Sequence, residues 1–271
     1  MSDLNSLKIL VTGSSGFVGF NFIKKISKYK PICIFNKNKK KYKNIKFVRC
    51  NLSDYKKCKK LIEIYKPNFV FHFAALIKNK VNEDKNSSYT NNFIVTKNIV
   101  KSIKNFQNCT LVFLSTDKIY SIKKNKIDFY AKDKLICEDY IRKNIIKYFI
   151  FRAPIIHSDG SKKSSSFIDE ALIKIKNKKK IKIYKNIKRC FVDIKLLNNF
   201  FYNLLFIKTN KYGIYNIGSK IMSYYERVIY ICKMNRIMYS KYMLPIVGYE
   251  YPKIQNMSTK KFEKIFNFKF L

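Results

Sequence analysis

Glycine, tryptophan and histidine are nearly missing from this chain, which has seven Gly, no Trp and two His in 271 residues. Two histidines are too few for the usual imidazole-rich metal centre. The seven cysteines (Cys33, Cys50, Cys58, Cys109, Cys137, Cys190, Cys232) form no C-x-x-C pair, so no metal site is expected. Their odd number and scatter argue against a disulfide framework and suit the reduced, buried thiols of a cytoplasmic protein. No run of about 18 apolar residues occurs, which excludes a membrane-spanning helix of ordinary length. The N-terminus lacks a basic segment leading into an apolar one, so no secretory signal is expected. Acidic residues are scarce as well, 17 against 57 Lys and Arg, for a net charge of +40. Such a balance suits a nucleic-acid partner. Only six of the basic residues are arginine, however, and the lysines run along the whole chain. Abundant Lys, Asn, Ile, Tyr and Phe read as the drift of A- and T-rich coding. Neither nucleic acid nor a membrane is therefore expected as a partner, although the charge would speed capture of an anionic nucleotide.

Against this poverty, three of the seven glycines stand together in Lys8-Ile-Leu-Val-Thr-Gly-Ser-Ser-Gly-Phe-Val-Gly-Phe20. The pattern predicts a strand at Ile9–Val11, a turn, then a helix. Gly13 would permit the turn, Gly16 would let a diphosphate approach the backbone, and Gly19 would let the helix pack closely on the strand. Phosphates would meet free amides at a helix N-terminus. Further strands are expected at 31–35, 45–49, 69–73, 110–114 and 148–152. Helices near 55–65, 87–104 and 130–144 alternate with them. Ser53 or Asp54 would cap the 55–65 helix. This alternation predicts an α/β fold, a Rossmann-type doubly wound parallel sheet covered on both faces. Beyond Pro154 the pattern loosens into a turn at Ser158–Gly160, a polar run over Lys162–Ser166 and a helix near 167–177. A strand at 181–184 and a helix running from Phe191 to about Phe206 follow. One more strand at 213–217 and helices near 223–235 and 258–266 finish the chain. The expected division is a dinucleotide-binding domain over 1–153 and a small substrate lobe over 154–271, interleaved through the 213–217 strand.

In open parallel sheets, ligands bind beyond the carboxyl ends of the strands. The Gly13 turn, Ala74-Ala75, Ser115-Thr116 and the segment after Arg152 all fall there. After the second strand comes Asn36, then Lys37–Lys40, where an acidic residue would hold the ribose of NAD; cations here favour NADP over NAD. Tyr130 and Lys134 are four residues apart and share a helix face. A cation beside the phenol would lower its pKa and make it an acid/base catalyst, with the Thr116 hydroxyl on the same substrate oxygen. That constellation fits hydride transfer at an oxygen-bearing carbon. His72, inside an apolar strand, reads as a packed core residue. Arg189 suits contact with a diphosphate.

Thr12-Gly13-x-x-Gly16-x-x-Gly19, His72-Phe-Ala-Ala75, Asn92, Ser115-Thr116-Asp117, Tyr130-x-x-x-Lys134, Arg152-x-Pro154 and Tyr215-Asn-Ile-Gly218 occur in this order. Together they resemble the extended short-chain dehydrogenases/reductases of the nucleotide-sugar epimerase/dehydratase/reductase group. In pattern the chain is most similar to dTDP-4-dehydrorhamnose reductases. The resemblance implies a nicotinamide cofactor held by Gly13, Ser15, Gly16, Phe17, Val18, Gly19, Asn36, Asn51, Leu52, Ala74, Ala75, Asn92, Tyr130 and Lys134. It implies catalysis by Thr116, Asp117, Tyr130 and Lys134. It also implies a nucleoside-diphosphate sugar bound between the lobes by Lys118, Arg189 and Asn216, and a possible homodimer. Asn51 stands where the family usually has Asp, the 121–129 loop is short, and Tyr-Gly-Pro is missing after Pro154. A 4-keto reductase is the first expectation. A 4,6-dehydratase or 4-epimerase is the alternative within the family. A noncatalytic Rossmann-fold binder, of RNA, is the alternative from another class.

Overall fold

The computed structural model describes residues 7–76, 89–122, 128–160, 166–249 and 254–270. The chain divides into two compact units, Met1–Arg152 with Asn198–Tyr215, and Ala153–Leu197 with Asn216–Leu271. Each is taken by itself.

The first unit carries a seven-stranded parallel sheet. Its strands are β1 (Ile9–Thr12), β2 (Ile32–Phe35), β3 (Phe47–Arg49), β4 (Phe69–His72), β5 (Thr110–Thr116), β6 (Tyr148–Ala153) and β11 (Gly213–Asn216). Their order is β11-β6-β5-β4-β1-β2-β3. The order reverses between β1 and β4, which makes their carboxyl ends a topological switch point and a natural ligand crevice. Strand alternation sorts the side chains by face. Leu10, Val70 and Leu111 join one buried cluster with Leu61, Ile62, Ile99 and Ile141. These last four come from α2 (Tyr55–Tyr65), α3 (Val95–Ile103) and α4 (Phe129–Asn144). On the other face Phe71 packs against Phe22, 4.5 Å between ring centroids, and against Phe201 at 5.8 Å. Phe22 lies on α1 (Phe17–Lys25). Each fully buried ring contributes roughly 2–3 kcal/mol of transfer free energy.

Local chemistry sets the helix ends. Asp54 accepts from the Lys57 amide and caps α2, and Asp128 does the same for α4 through Ala131. A widened turn, Thr90–Ile94, leads into α3. The start of that helix at Ser87, residues 162–165 of the polar run and residues 123–127 of the short loop lie outside the described residues.

The second unit contains α5 (Phe167–Lys176), β8 (Ile181–Tyr184), α7 (Tyr224–Met234) and α8 (Lys260–Phe266), near where the sequence predicts them. Ser223 and Glu226 form a capping box at the start of α7. One expectation is corrected: Phe191–Asp193 does not open a helix. It is strand β10, parallel to β7 (Ile155–His157), and helix α6 (Ile194–Leu204) starts only after it. The Asn198–Leu204 part of α6 belongs to the first unit. Three further short strands were not expected: β9 (Lys188–Arg189), β12 (Met222–Ser223) and β13 (Met243–Ile246), which pair as β9–β12 and β8–β13. Two- to four-residue strands carry too few residues to show alternation, and Pro245 in β13 argues against a strand unless it lies at an edge.

Gly13 holds φ +64°, and a Cβ there would sit 2.6 Å from the Ala74 nitrogen and the Phe73 carbonyl carbon. A Cβ on Gly16 would meet only the Gly13 oxygen, at 3.2 Å. Gly13→Ala is therefore expected to lose about 2–4 kcal/mol in urea unfolding, and Gly16→Ala less than about 1 kcal/mol. Equal losses for the two would show that the first turn is not clamped on β4.

Candidate active site

The turn after β1 presents the unshared amides of a helix start. The Gly16 nitrogen donates to the Gly13 oxygen at 2.9 Å, and the Ser14 amide and hydroxyl both go to the Ile34 oxygen, at 3.2 and 2.8 Å. No side chain caps α1, and no acidic residue lies in its first turn. The first-turn N–H groups of Phe17 and Val18 thus have no helical or capping acceptor, which fits a diphosphate. Gly19 packs without a Cβ directly on the Gly13 carbonyl. The Ser15 hydroxyl donates to the Asn38 carbonyl, which ties the turn to the exposed segment that begins at Asn36. Asn51 is exposed and accepts from the Ser53 amide and hydroxyl. Leu52 is buried, and its carbonyl accepts from Asn98 at 3.0 Å.

His72 is fully buried, as expected of a core histidine. Its Nδ1 lies 2.7 Å from Thr12 Oγ1 and its Nε2 lies 2.9 Å from Thr96 Oγ1. The Thr96 hydroxyl donates to the Asn92 carbonyl at 2.6 Å. That hydroxyl has one proton, so it must accept from His72, whose Nε2 therefore carries the hydrogen. Nδ1 then accepts from Thr12, and Thr12 Oγ1 accepts from the Ala74 amide at 3.3 Å. Asn92 finishes the chain: its Oδ1 accepts from the Leu76 amide at 2.8 Å and its Nδ2 donates to Asp133 at 3.2 Å. The segment Ala74-Ala75-Leu76 is thereby fixed at the switch point.

Tyr130 and Lys134 stand on α4 beside the end of β5. Lys134 is buried; its Nζ donates to the Leu114 carbonyl at 2.8 Å and lies 4.4 Å from the Phe113 ring centroid and 5.9 Å from that of Tyr130. Strand β5 continues through Ser115 and Thr116, beyond the predicted end at Leu114. Thr116 caps a tight turn, Asp117–Ser121, through the Lys118 amide at 3.3 Å, and its hydroxyl reaches Asp117 at 3.5 Å. The expected depression of the Tyr130 pKa is corrected. Burial, and after it the charge of Asp117, pushes the phenol above its ordinary value. Burial also lowers Lys134, to about 8. Loss of hydration outweighs a cation that is turned toward a backbone carbonyl.

Sequence reasoning missed Glu138. It is buried, accepts the Ser115 hydroxyl, and takes Arg152 as a partner, Nε at 3.1 Å from both oxygens and Nη2 at 2.6 Å. Arg152 Nη1 donates to the Tyr120 hydroxyl at 2.8 Å. The signal was present: Tyr130, Lys134 and Glu138 recur every four residues on one helix face. Arg189 and Asn216 belong to the second unit. There Arg189 is buried on β9 and donates to the Lys188 carbonyl, and Asn216 donates to the Ser258 carbonyl at 3.1 Å.

A sequence model of the NAD dependent epimerase/dehydratase family matches residues 9–218, and the chain belongs to this family. Over 163 residues, 49% of this chain, it is 28% identical to the bifunctional protein GAL10 of Kluyveromyces lactis, of which it spans 23%. The fold is similar to that of Bacillus anthracis dTDP-4-dehydrorhamnose reductase crystallised with NADP: TM-score 0.78, 16% identity, 95% of this chain and 91% of that one. Thermotoga maritima UDP-glucose 4-epimerase with UDP-glucose gives 0.79 at 16% identity, over 97% and 94%. Bordetella bronchiseptica WbmG with NAD and UDP gives 0.81 at 16% identity, over 98% and 90%. No helix among the described residues is long and apolar enough to cross a membrane.

Burial lowers the His72 pKa to about 3, below the roughly 6.5 of an unfolded histidine. The unfolded chain therefore binds this proton first, and stability falls as pH drops through that window. Between about pH 7 and pH 5 the His72 contribution to the loss is about 2 kcal/mol. Urea unfolding of His72→Gln should show a slope shallower by that amount; an unchanged slope would mean that His72 is charged in the folded chain.

Proposed function

We propose that this chain is an NAD(P)-dependent oxidoreductase of nucleoside-diphosphate sugars, a reductase of a 4-keto sugar. The observation that carries this reading is the convergence of Thr116, Asp117, Tyr130 and Lys134 at the carboxyl end of β5, in the same sheet as, and two strands from, a β1 turn with free helix amides. Family membership supports it, as do fold neighbours crystallised with NADP, NAD, UDP or UDP-glucose. The Phe17 and Val18 amides would hold the cofactor diphosphate, Ala74 and Ala75 would line its bed, and Asn51 and Leu52 would flank its adenine. No carboxylate follows β2, and Asn36 with Lys37–Lys40 favours the 2′-phosphate of NADP.

A bound nicotinamide would supply hydride to the carbonyl carbon. The raised pKa keeps the Tyr130 hydroxyl protonated at neutral pH, so it acts as the acid and delivers its proton to the carbonyl oxygen. Thr116 hydrogen-bonds that oxygen. The Lys134 ammonium stabilises the resulting phenolate and opens a path for its reprotonation. Lys118, just past β5, would contact the sugar of the sugar nucleotide. A second reading, a 4,6-dehydratase, is favoured by one observation: Asp117 is buried beside the phenol and could serve as an acid for water elimination.

With NADPH and a 4-keto-6-deoxy sugar nucleotide, the protein should bleach the nicotinamide absorbance. Tyr130→Phe should lower kcat by about 100-fold or more, and the wild-type rate should fall above about pH 8 as Lys134 loses its proton. Full turnover by Tyr130→Phe would remove the phenol from the mechanism. Release of water from a hydroxylated sugar nucleotide without net NADPH use would replace the reductase with the dehydratase.

A further inference from the structure

The distribution of charge in the fold is not that of the sequence. Residues 4–53 contain 12 Lys and Arg and no Asp or Glu, and residues 194–225 contain no Asp or Glu either. The first unit brings parts of these two stretches together. At the end of α1 and the short turn Ser27–Tyr29, the Tyr29 ring lies 6.3 Å from Tyr202 and 6.1 Å from Phe206, and Tyr202 lies 5.3 Å from Phe206. Phe206 is 39% exposed. Ammonium groups sit over these rings: Lys25 is 5.2 Å from the Tyr202 centroid, and Lys28 is 5.0 Å from Tyr29 and 5.6 Å from Tyr202. One turn back along α1, Lys24 lies 4.6 Å from Phe20 and 5.7 Å from Tyr42, with Lys40 4.4 Å from Phe20 and Lys43 5.5 Å from Tyr42. Among the described residues none of these five lysines has a carboxylate partner. The ammonium of Lys40 is held below its ordinary pKa by burial and by the charge of Lys24. Lys28 also donates to the Tyr202 and Tyr29 hydroxyls, so these cations rest on rings and phenols with no carboxylate beside them among the described residues.

We infer that this face of the first unit binds single-stranded nucleic acid, with phosphates on the lysines at the end of α1 and in the Ser27–Tyr29 turn after it and bases on the Tyr29–Tyr202–Phe206 platform. A polyanion would supply the counter-charge that the face lacks. An exposed lysine-on-ring contact is weaker than a base stacked on the same ring, so an incoming strand can draw the ammonium to a phosphate and take over the ring. Spacing selects a strand over a lipid surface. Three rings within about 6 Å of one another suit successive unstacked bases. Phe22 and Ile23 of α1 are buried, and its half-buried Phe20 lies under the Lys24 and Lys40 ammoniums, so the helix offers a bilayer no open apolar face. Lysine in place of arginine suits backbone contact without reading of sequence.

The test is fluorescence anisotropy of the full chain, without cofactor, on a labelled oligo(dT) of about 12 nucleotides. Binding should exceed that to a duplex of equal length and should weaken at least tenfold from about 50 to about 200 mM salt. Neutralising Lys24, Lys25 and Lys28 together by →Gln should lower the salt slope by about 2. Phe206→Ala and Tyr202→Ala should each cost about tenfold at an unchanged slope, and Tyr202→Phe, which keeps the ring, should bind as wild type. Thermal melting checks that each variant is folded, and Tyr202→Phe reports on the ring independently of any loss of packing. Three findings would each overturn the proposal. The first is wild-type binding by the Gln triple variant and Phe206→Ala. The second is an equal loss on neutralising Lys56, Lys57 and Lys60 of α2, which would assign binding to net charge alone. The third is binding to phosphatidylserine vesicles with none to the oligonucleotide. None of these bears on the proposed reductase chemistry.

Discussion

One proton-ordered chain of hydrogen bonds holds the ligand end of the first unit. It runs from the Ala74 amide through Thr12 and His72 to Thr96 and the Asn92 carbonyl. Each hydroxyl has a single proton to give, so the direction of every bond follows from the last one. The chain joins the end of β1 to the end of β4 and to the helix layer above them. Gly13 can then press its missing side chain against the Phe73–Ala74 backbone. Both the first turn and the Ala74-Ala75-Leu76 segment are in place before any ligand arrives. Such preorganisation lowers the ordering cost of binding.

The β5–α4 side of the crevice rests on a second buried network. Glu138 receives Ser115 from β5 and Arg152 from β6, and so ties both strand ends to α4. A carboxylate this deep is tolerated because the guanidinium fork and the hydroxyl satisfy it. The same desolvation governs Tyr130 and Lys134. It raises the phenol and lowers the amine, so each is pushed toward its neutral form. A tyrosine that keeps its proton is suited to act as an acid.

Charge shows how far composition can mislead. In the sequence, lysine is spread along the whole chain and reads as background. In the fold, two stretches without a carboxylate meet, and their lysines rest on half-buried aromatic rings. The aromatic count alone could not separate Phe71 and Phe201, which build the core, from Tyr202 and Phe206, which face outward.

The glycine spacing, the strand–helix alternation and the order of short motifs were enough, from sequence alone, to define the doubly wound sheet and most element positions. Those features depend on local periodicity and backbone freedom, which neighbouring residues carry by themselves. The Tyr130–Lys134 pair was legible for the same reason, as a helix spacing. Only the tertiary structure decided the direction of the Tyr130 shift, the partner of Glu138, the tautomer of His72 and the strand at Phe191–Asp193. Each depends on burial or on groups far apart in the chain, and no window of sequence contains the distance between them.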